Sequence, residues 1–423
     1  MTGTSSGTRV GRRAAAGPRG AAPRRRRLSR LAGARAFPSV IVIFLAVVSQ
    51  TAVPSPFYPR YESEFGLAPV ELTIVFAAYV AGMVVTLLTV GSLSDYTGRK
   101  PVLAASCLIG VGAVVMFLTA GGFAALVTAR VLEGVSIGTG NAALAAALVD
   151  FAPRGNIRLA SVLAGALPPT ALGLGALLAG VSLQVSARPA AVAYGASLIA
   201  VLVALALTCA LPESRPRRPG ALASLPPRLG VPPSARRAFA AVAGALVSGW
   251  ALAGLYLALA PSVLQDAWPQ ADALVRVLPL SEFLAFAALA GVLLNRIPDR
   301  AAMFTGLLAL LAGSAAVGAA LAVHGVPAAV LAPGTAVAGT GFGGTFQSAL
   351  RYLIGATGPD ERATVMAAAL TLAFIAFGLP SIVAGVVIPA FGVLTVALVY
   401  TAGVIVVGAV TLAAFRRLSA ATG

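Results

Sequence analysis

The sequence predicts an all-α membrane protein with twelve transmembrane helices in two pseudo-symmetric six-helix bundles. The first observation is composition. Of 423 residues 59% are hydrophobic and only 10% charged, with a mean hydropathy of +0.94, whereas soluble domains carry about 25% charged residues. The second is a count: apolar windows of about 20 residues, enough to cross roughly 30 Å of hydrocarbon, occur twelve times. The third is a charged hairpin, Gly91-Ser92-Leu93-Ser94-Asp95-Tyr96-Thr97-Gly98-Arg99-Lys100, caught between two such windows and echoed in the second half of the chain.

Taken in order, residues 1–36 hold ten arginines and no acid. They have neither the apolar core nor the small-residue cleavage site of a signal peptide, so they read as a disordered, Arg-rich cytoplasmic tail with a topogenic or lipid-headgroup role. The windows that follow lie at about 38–58, 69–92, 101–120, 122–147, 158–183 and 189–211, then 238–263, 273–295, 302–323, 327–353, 363–388 and 391–415. Between the two sets, residues 212–237 form the longest polar interval after the tail, with Pro-Arg-Arg-Pro and Pro-Pro steps. That cytoplasmic linker separates an N-terminal bundle, 37–211, from a C-terminal bundle, 238–423. With twelve spans the termini share a side, and 26 of the 30 Lys and Arg fall on it. Such an excess marks the cytoplasmic face, so both termini are expected there. The same distribution accounts for the net charge of +17 without nucleic acid.

Internal similarity supports the division. A shift of 200 lays Gly291-Val-Leu293-Leu-Asn295-Arg-Ile-Pro-Asp-Arg300 over the hairpin, with Asn295 in place of Asp95. A shift of 205 matches Gly134, Gly138, Gly173 and Gly180 with Gly339, Gly343, Gly378 and Gly385.

The twelve spans, the polar central linker and the Gly-x-Leu-x-Asp-x-x-Gly-Arg-Lys loop between spans 2 and 3 together resemble the major facilitator superfamily, over essentially everything after the tail. The resemblance implies two bundles that rock about a central site. Arg130-Val-Leu-Glu133-Gly134 in span 4 is similar to the family's Arg-x-x-x-Gly signature, common in proton-coupled members, including bacterial drug/proton antiporters. Span 5 departs from the antiporter pattern, since Gly165, Pro168, Pro169, Gly173, Gly175 and Gly180 stand in a different arrangement.

The hairpin suits a gating latch formed by Gly91, Asp95, Gly98, Arg99 and Lys100. Asp95, just past a helix end, can accept from the N–H groups that begin a helix of the other half. By analogy that helix is span 11, just after Pro359-Asp360-Glu361-Arg362. The alternative is a topological anchor without a gating role. Arg130 and Glu133 share a helical face, at a depth where an isolated charge costs at least about 2.5–3.5 kcal/mol. Either they form a structural ion pair or Glu133 loads and releases a proton. Glu282 in span 8 is a third candidate for proton coupling, unless it snorkels to the outer mouth or pairs with Arg276. Asp150, at the end of span 4, reads as a solvated end charge. Gln50, Tyr79, Asn141, Trp250, Tyr256, Gln347 and Phe377 are candidates to line a large, mostly apolar cavity, although each alone can equally serve packing.

Several features are set aside. Gly339-x-Gly341-x-x-Gly344 spells a dinucleotide fingerprint but lies inside an apolar span, where it serves helix packing. Cys107 and Cys209 read as small core residues. With His324 as the single histidine, no catalytic constellation, metal site or cofactor is expected. The preferred reading is a monomeric, proton-coupled exporter of small amphipathic or drug-like compounds in a bacterial inner membrane. The alternatives are a proton-coupled uptake permease for a small metabolite or organic anion, and a transport-dead sensor or assembly partner.

Overall fold

The apolar windows become twelve long helices: α1 (Pro23–Ser49), α2 (Pro69–Val90), α3 (Arg99–Leu118), α4 (Phe123–Asp150), α5 (Ile157–Val185), α6 (Pro189–Ala210), α7 (Arg236–Gly254), α8 (Ala273–Leu293), α9 (Asp299–Ala322), α10 (Leu331–Gly355), α11 (Arg362–Phe391) and α12 (Val393–Ala420). The computed structural model describes residues 2–3, 23–222, 225, 230–323, 326–358 and 361–420, with the side chains of 23–34, 363 and 418–420 excepted. Local chemistry sets several boundaries. Proline opens α2 and α6, where its missing N–H costs nothing, and the Glu71 carboxylate accepts from the Ala68 N–H at 2.8 Å to cap α2. The Asn156 side chain caps α5 by accepting from the Leu159 N–H at 3.0 Å. Proline inside α1, α5, α8 and α11 is tolerated because neighbouring helices re-satisfy the backbone.

Two features differ from expectation. α1 starts at Pro23, within the stretch expected to be disordered. The Arg, Leu and Ala residues that precede the apolar window are strong helix formers and extend it backwards; residues 4–22 lie outside the described residues. Among the described residues, eleven helical stretches are long and apolar enough to cross a membrane on their own composition. α10 is not among them. It is as long as the others, but it spends its sequence on Gly and Thr because it is wedged between α8 and α9.

The glycine repeat has a structural meaning. Gly134 and Gly138 of α4 press against the α2 backbone at Tyr79 and Met83, leaving no room for a Cβ. Gly339 and Gly343 of α10 press in the same way against α8 at Phe283 and Ala287. Across the divide, Gly173 and Gly180 of α5 face Leu284 and Val277 of α8, while Gly378 and Gly385 of α11 face Val80 and Thr73 of α2. The small residues therefore set close helix approach both within the bundles and between them, and they occupy equivalent places in each.

Spans 1 and 7 are broken on the face opposite the linker. α1 passes through 3₁₀ turns at Gln50–Ala52 and Ser55–Phe57, around Pro54 and Pro56, into a short helix, Tyr58–Phe65. α7 passes through a π-helical segment, Leu255–Leu259, into Ala260–Ala267. These two short helices meet across the divide.

Candidate functional site

The Arg130–Glu133 pair lies at the centre of the N-terminal bundle, and each side chain is 1% exposed. Spacing three apart on α4 stacks them on one face. Arg130 Nη1 donates to Glu133 Oε2 at 2.6 Å and to the Thr51 carbonyl at 2.9 Å, while Nη2 donates to the Tyr58 hydroxyl. The guanidinium lies 5.5 Å from the Tyr58 ring centroid and 5.8 Å from those of Tyr79 and Phe117, which supplies cation–π attraction in a desolvated place. Around this cage the Tyr61 and Tyr194 hydroxyls share a hydrogen bond of 2.5 Å, and Tyr194 stacks on Phe57 and Phe117. The carbonyl bound by Arg130 belongs to a 3₁₀ turn of broken span 1, so the break is what frees an acceptor for the charge. The ion pair was legible in the sequence; the tyrosine cage was not, because its members come from four separate spans.

At the linker face the hairpin forms a second constellation. Asp95 pairs with Arg99 at 2.8 Å and remains 59% exposed. Arg99 is buried, also donating to the Ser94 hydroxyl at 2.6 Å and lying 3.4 Å from Asp150. The carboxylate on a helix N-terminus is that of Glu213, which accepts from the Arg99 and Lys100 N–H groups at 2.8 and 3.2 Å. Gly98 has φ of 96° and sits against that carboxylate, so both its backbone and its missing Cβ matter. The linker runs on along the hairpin: Ser214 donates to Asp150 at 2.8 Å and the Arg218 N–H donates to the Tyr96 carbonyl at 2.8 Å. Lys100 Nζ donates to the carbonyl of Cys209, whose side chain is exposed rather than in the core.

These contacts differ from two expectations and add one residue. The described partner of Asp95 is in its own half, not at the start of span 11, although Pro359 and Asp360 lie outside the described residues, as does His324. Asp150 is an enclosed ion-pair partner rather than a solvated end charge, since Arg99 and the linker converge on it. Glu213 was missed: its target is more than a hundred residues away in sequence, and only its place immediately after span 6 hints at it. The second half repeats the arrangement with polarity exchanged. Arg351, at the end of α10, donates to Asp299 at 2.7 Å and to Asn295 at 2.5 Å.

The cavity candidates are distributed over five places. Gln50 and Tyr79 flank the arginine cage, and the Tyr79 hydroxyl donates to the Met83 sulfur at 3.2 Å. Asn141 is half-buried further along α4. Trp250 and Phe377 belong to an aromatic cluster at the divide. Trp250 meets Phe342, Phe346, Phe374 and Phe377 edge-on at 5.1–5.5 Å, and Phe377 meets Phe76 of the other half at 4.9 Å. Tyr256 stacks on Phe283 at 4.2 Å and bonds Thr335 inside the C-terminal bundle. Gln347 fills the junction of α5, α8 and α10, against Gly165 and Gly291. Glu282 is half-buried and has no ion-pair partner among the described residues; Arg276 instead donates to the Pro269 carbonyl. On the face opposite the linker, two cavities of about 430 and 490 Å³ flank the meeting of the Tyr58–Phe65 and Ala260–Ala267 helices.

Two helical bundles related by pseudo-symmetry, with a charged clasp at equivalent loops and a buried ion pair in one bundle, define a polytopic transporter rather than an enzyme. Residues 40–379 match the Major Facilitator Superfamily, and the chain belongs to that family. Its fold resembles a bacterial homolog of the human lysosomal transporter Spinster in an inward-facing, unoccupied conformation (TM-score 0.72, 14% identity, covering 94% of this chain and 98% of that one). It also resembles a D-xylose-proton symporter (TM-score 0.68, 16% identity, 89% and 96%) and a variant of the nucleoside transporter NupG (TM-score 0.67, 13% identity, 89% and 98%). Among curated proteins it is similar to Multidrug resistance protein MdtL of Citrobacter koseri, 31% identical over 80 residues, which is 19% of this chain and 20% of that protein. The same protein from Klebsiella pneumoniae is 31% identical over 81 residues, 19% and 21% of the two chains. The match thus spans about a fifth of the length of these relatives.

Proposed function

We propose that the protein is a proton-coupled exporter of small amphipathic or drug-like compounds, working by alternating access in a bacterial inner membrane with both termini cytoplasmic. Its bundles, 37–211 and 238–423, move about the divide on either side of the linker at 212–237, and the substrate passes between them. The observation that carries the coupling is the Arg130–Glu133 pair: a carboxylate held out of water beside a permanent cation, whose occupancy by a proton changes the local charge by one unit. The aromatic wall of Phe76, Trp250 and Phe377 at the divide offers stacking and apolar contact with few hydrogen-bonding groups, which favours amphipathic molecules over sugars. The short similarity to a multidrug resistance protein points the same way.

Inside-out vesicles with a lumenal pH dye test this. In vesicles with an acid lumen, a transported lipophilic cation or neutral amphiphile added outside should raise the lumenal pH, and vesicles carrying Glu133→Gln should give no response. A panel in which no compound moves protons, or in which Glu133→Gln responds like the native chain, rejects the reading. Proton movement in the opposite sense, together with accumulation of a nutrient in right-side-out vesicles, would establish uptake.

A further inference from the structure

Eight buried side-chain polar atoms have no hydrogen-bond partner among the described residues, and four of them gather at one place: Gln50 Oε1, Thr51 Oγ1, Ser55 Oγ and Arg130 Nε. All four residues are at most 2% exposed. They meet where span 1 is broken, beside the arginine cage. Buried polar groups are ordinarily satisfied, and an orphaned group costs about 1–3 kcal/mol. Four such groups on the broken turns of span 1 and on the arginine bonded to the Thr51 carbonyl are therefore not incidental. Its chemistry is that of a water site. Gln50 Oε1 accepts, Arg130 Nε–H donates and the two hydroxyls do either, whereas a cation would meet Arg130 and an anion would meet Glu133. The Ser55 hydroxyl lies beside that of Tyr58, and the Thr51 hydroxyl beside that of Tyr79, so each can hand a proton directly to a tyrosine hydroxyl. Gly110 of α3 lets the Gln50 amide lie against that helix, because a Cβ there would come within 2.8 Å of the amide nitrogen.

The site also has an approach. The 490 Å³ cavity on the face opposite the linker is lined in part by Pro56, Pro59 and Arg60, the first of which follows Ser55 in the chain. We propose that the break in span 1 holds bound water between Gln50, Thr51, Ser55 and Arg130, and that this water carries protons between the outer cavity and Glu133, apart from the substrate's path through the divide. The inference rests on Glu133 being the proton-carrying group. Each step is an exchange of O–H bonds. Glu133 gains a proton from an adjacent water or hydroxyl, which is made good from the next donor outward, while Arg130 stays protonated throughout. The titratable groups that face Glu133 are Arg130 on its own helix, Tyr79 from α2, Tyr58 from the short outer helix, and Tyr194 from α6. α3 presents Phe117, and α5 carries only Arg158, at its linker end.

The test uses the full chain in lipid nanodiscs and needs no substrate. Infrared difference spectra between acid and alkaline buffer identify the protonated carboxyl band that Glu133→Gln removes, and a switch into D₂O then times its exchange. A positioned proton relay contributes about 10²–10⁴ in rate, so Thr51→Val combined with Ser55→Ala should slow that exchange by about tenfold or more. Thr51→Ser should leave it fast, as should Ser314→Ala, a buried hydroxyl in the other bundle. Radiolytic footprinting, which oxidises side chains beside bound water, should label Tyr58 in the native chain. Unchanged exchange in Thr51→Val/Ser55→Ala, or no labelling of Tyr58, overturns the water route while leaving Glu133 as the proton site. Absence of any band sensitive to Glu133→Gln overturns the coupling reading itself.

Discussion

Replacing Glu133 by leucine leaves the Arg130 guanidinium enclosed by aromatic rings without its carboxylate. Because both side chains are 1% exposed, solvent offers no screening. Breaking one partner of such a pair costs about 3–5 kcal/mol, or roughly two to nearly four powers of ten in the folded-to-unfolded ratio. Arg130→Met falls toward the lower end of that range, since an abandoned carboxylate can neutralise itself by taking up a proton and an abandoned guanidinium cannot. The double variant removes both charges and keeps the volume, so it should recover part of the Glu133→Leu loss. What it cannot recover is the Thr51 carbonyl and Tyr58 hydroxyl left without a donor, about 1–3 kcal/mol each where water does not reach them. Unfolding by sodium dodecyl sulfate in mixed micelles, followed by the fluorescence of Trp250 and Trp268, measures all four proteins. A double variant no more stable than Glu133→Leu would refute the reasoning, because the cost would then come from shape rather than from unpaired charge.

Two further outcomes concern the hairpin. Glu213→Ala should weaken the clasp, seen as faster amide exchange at Arg99 and Lys100, while Glu213→Asp retains part of the protection; unchanged exchange would mean that another group caps α3. Asp95→Asn should shift stability by less than about 1 kcal/mol, as its partner contact is largely exposed, yet lower transport of the compounds identified in vesicles, and Asn295→Asp should fail to restore it because Asn295 serves Arg351 in the other clasp. Normal transport by Asp95→Asn at equal membrane abundance would reduce the hairpin to an anchor.

The bundles were legible because span length and sidedness depend on local composition and on the sum of Lys and Arg. The glycine repeat was legible because close approach demands the same residue type wherever the same contact recurs. Other features were hidden for physical reasons. α10 reads poorly as a span, since a helix covered by its neighbours need not be apolar in itself. The π segment at Leu255–Leu259 is an extra residue's worth of winding, and no residue type encodes it. Among the site residues, Arg130 and Glu133 announce themselves by their cost in hydrocarbon. Tyr58, Tyr61 and Tyr194 resemble ordinary interfacial aromatics until the fold closes them around the charge. Gln50 and Trp250 turn into different bundles even though they lie on spans 1 and 7, which face the divide, and span position alone does not reveal that.

The clasp of the linker on the hairpin also determines where the polypeptide is divisible. Glu213 to Arg218 follow the last helix of the first bundle in sequence, but they belong to it structurally, as a strap across the turn between α2 and α3. Two coexpressed fragments separated downstream of Arg218 keep that strap with the part it fastens. A cut at Pro212 leaves the N-terminus of α3 without its carboxylate and Asp150 without Ser214, so fragment complementation would distinguish the two cuts.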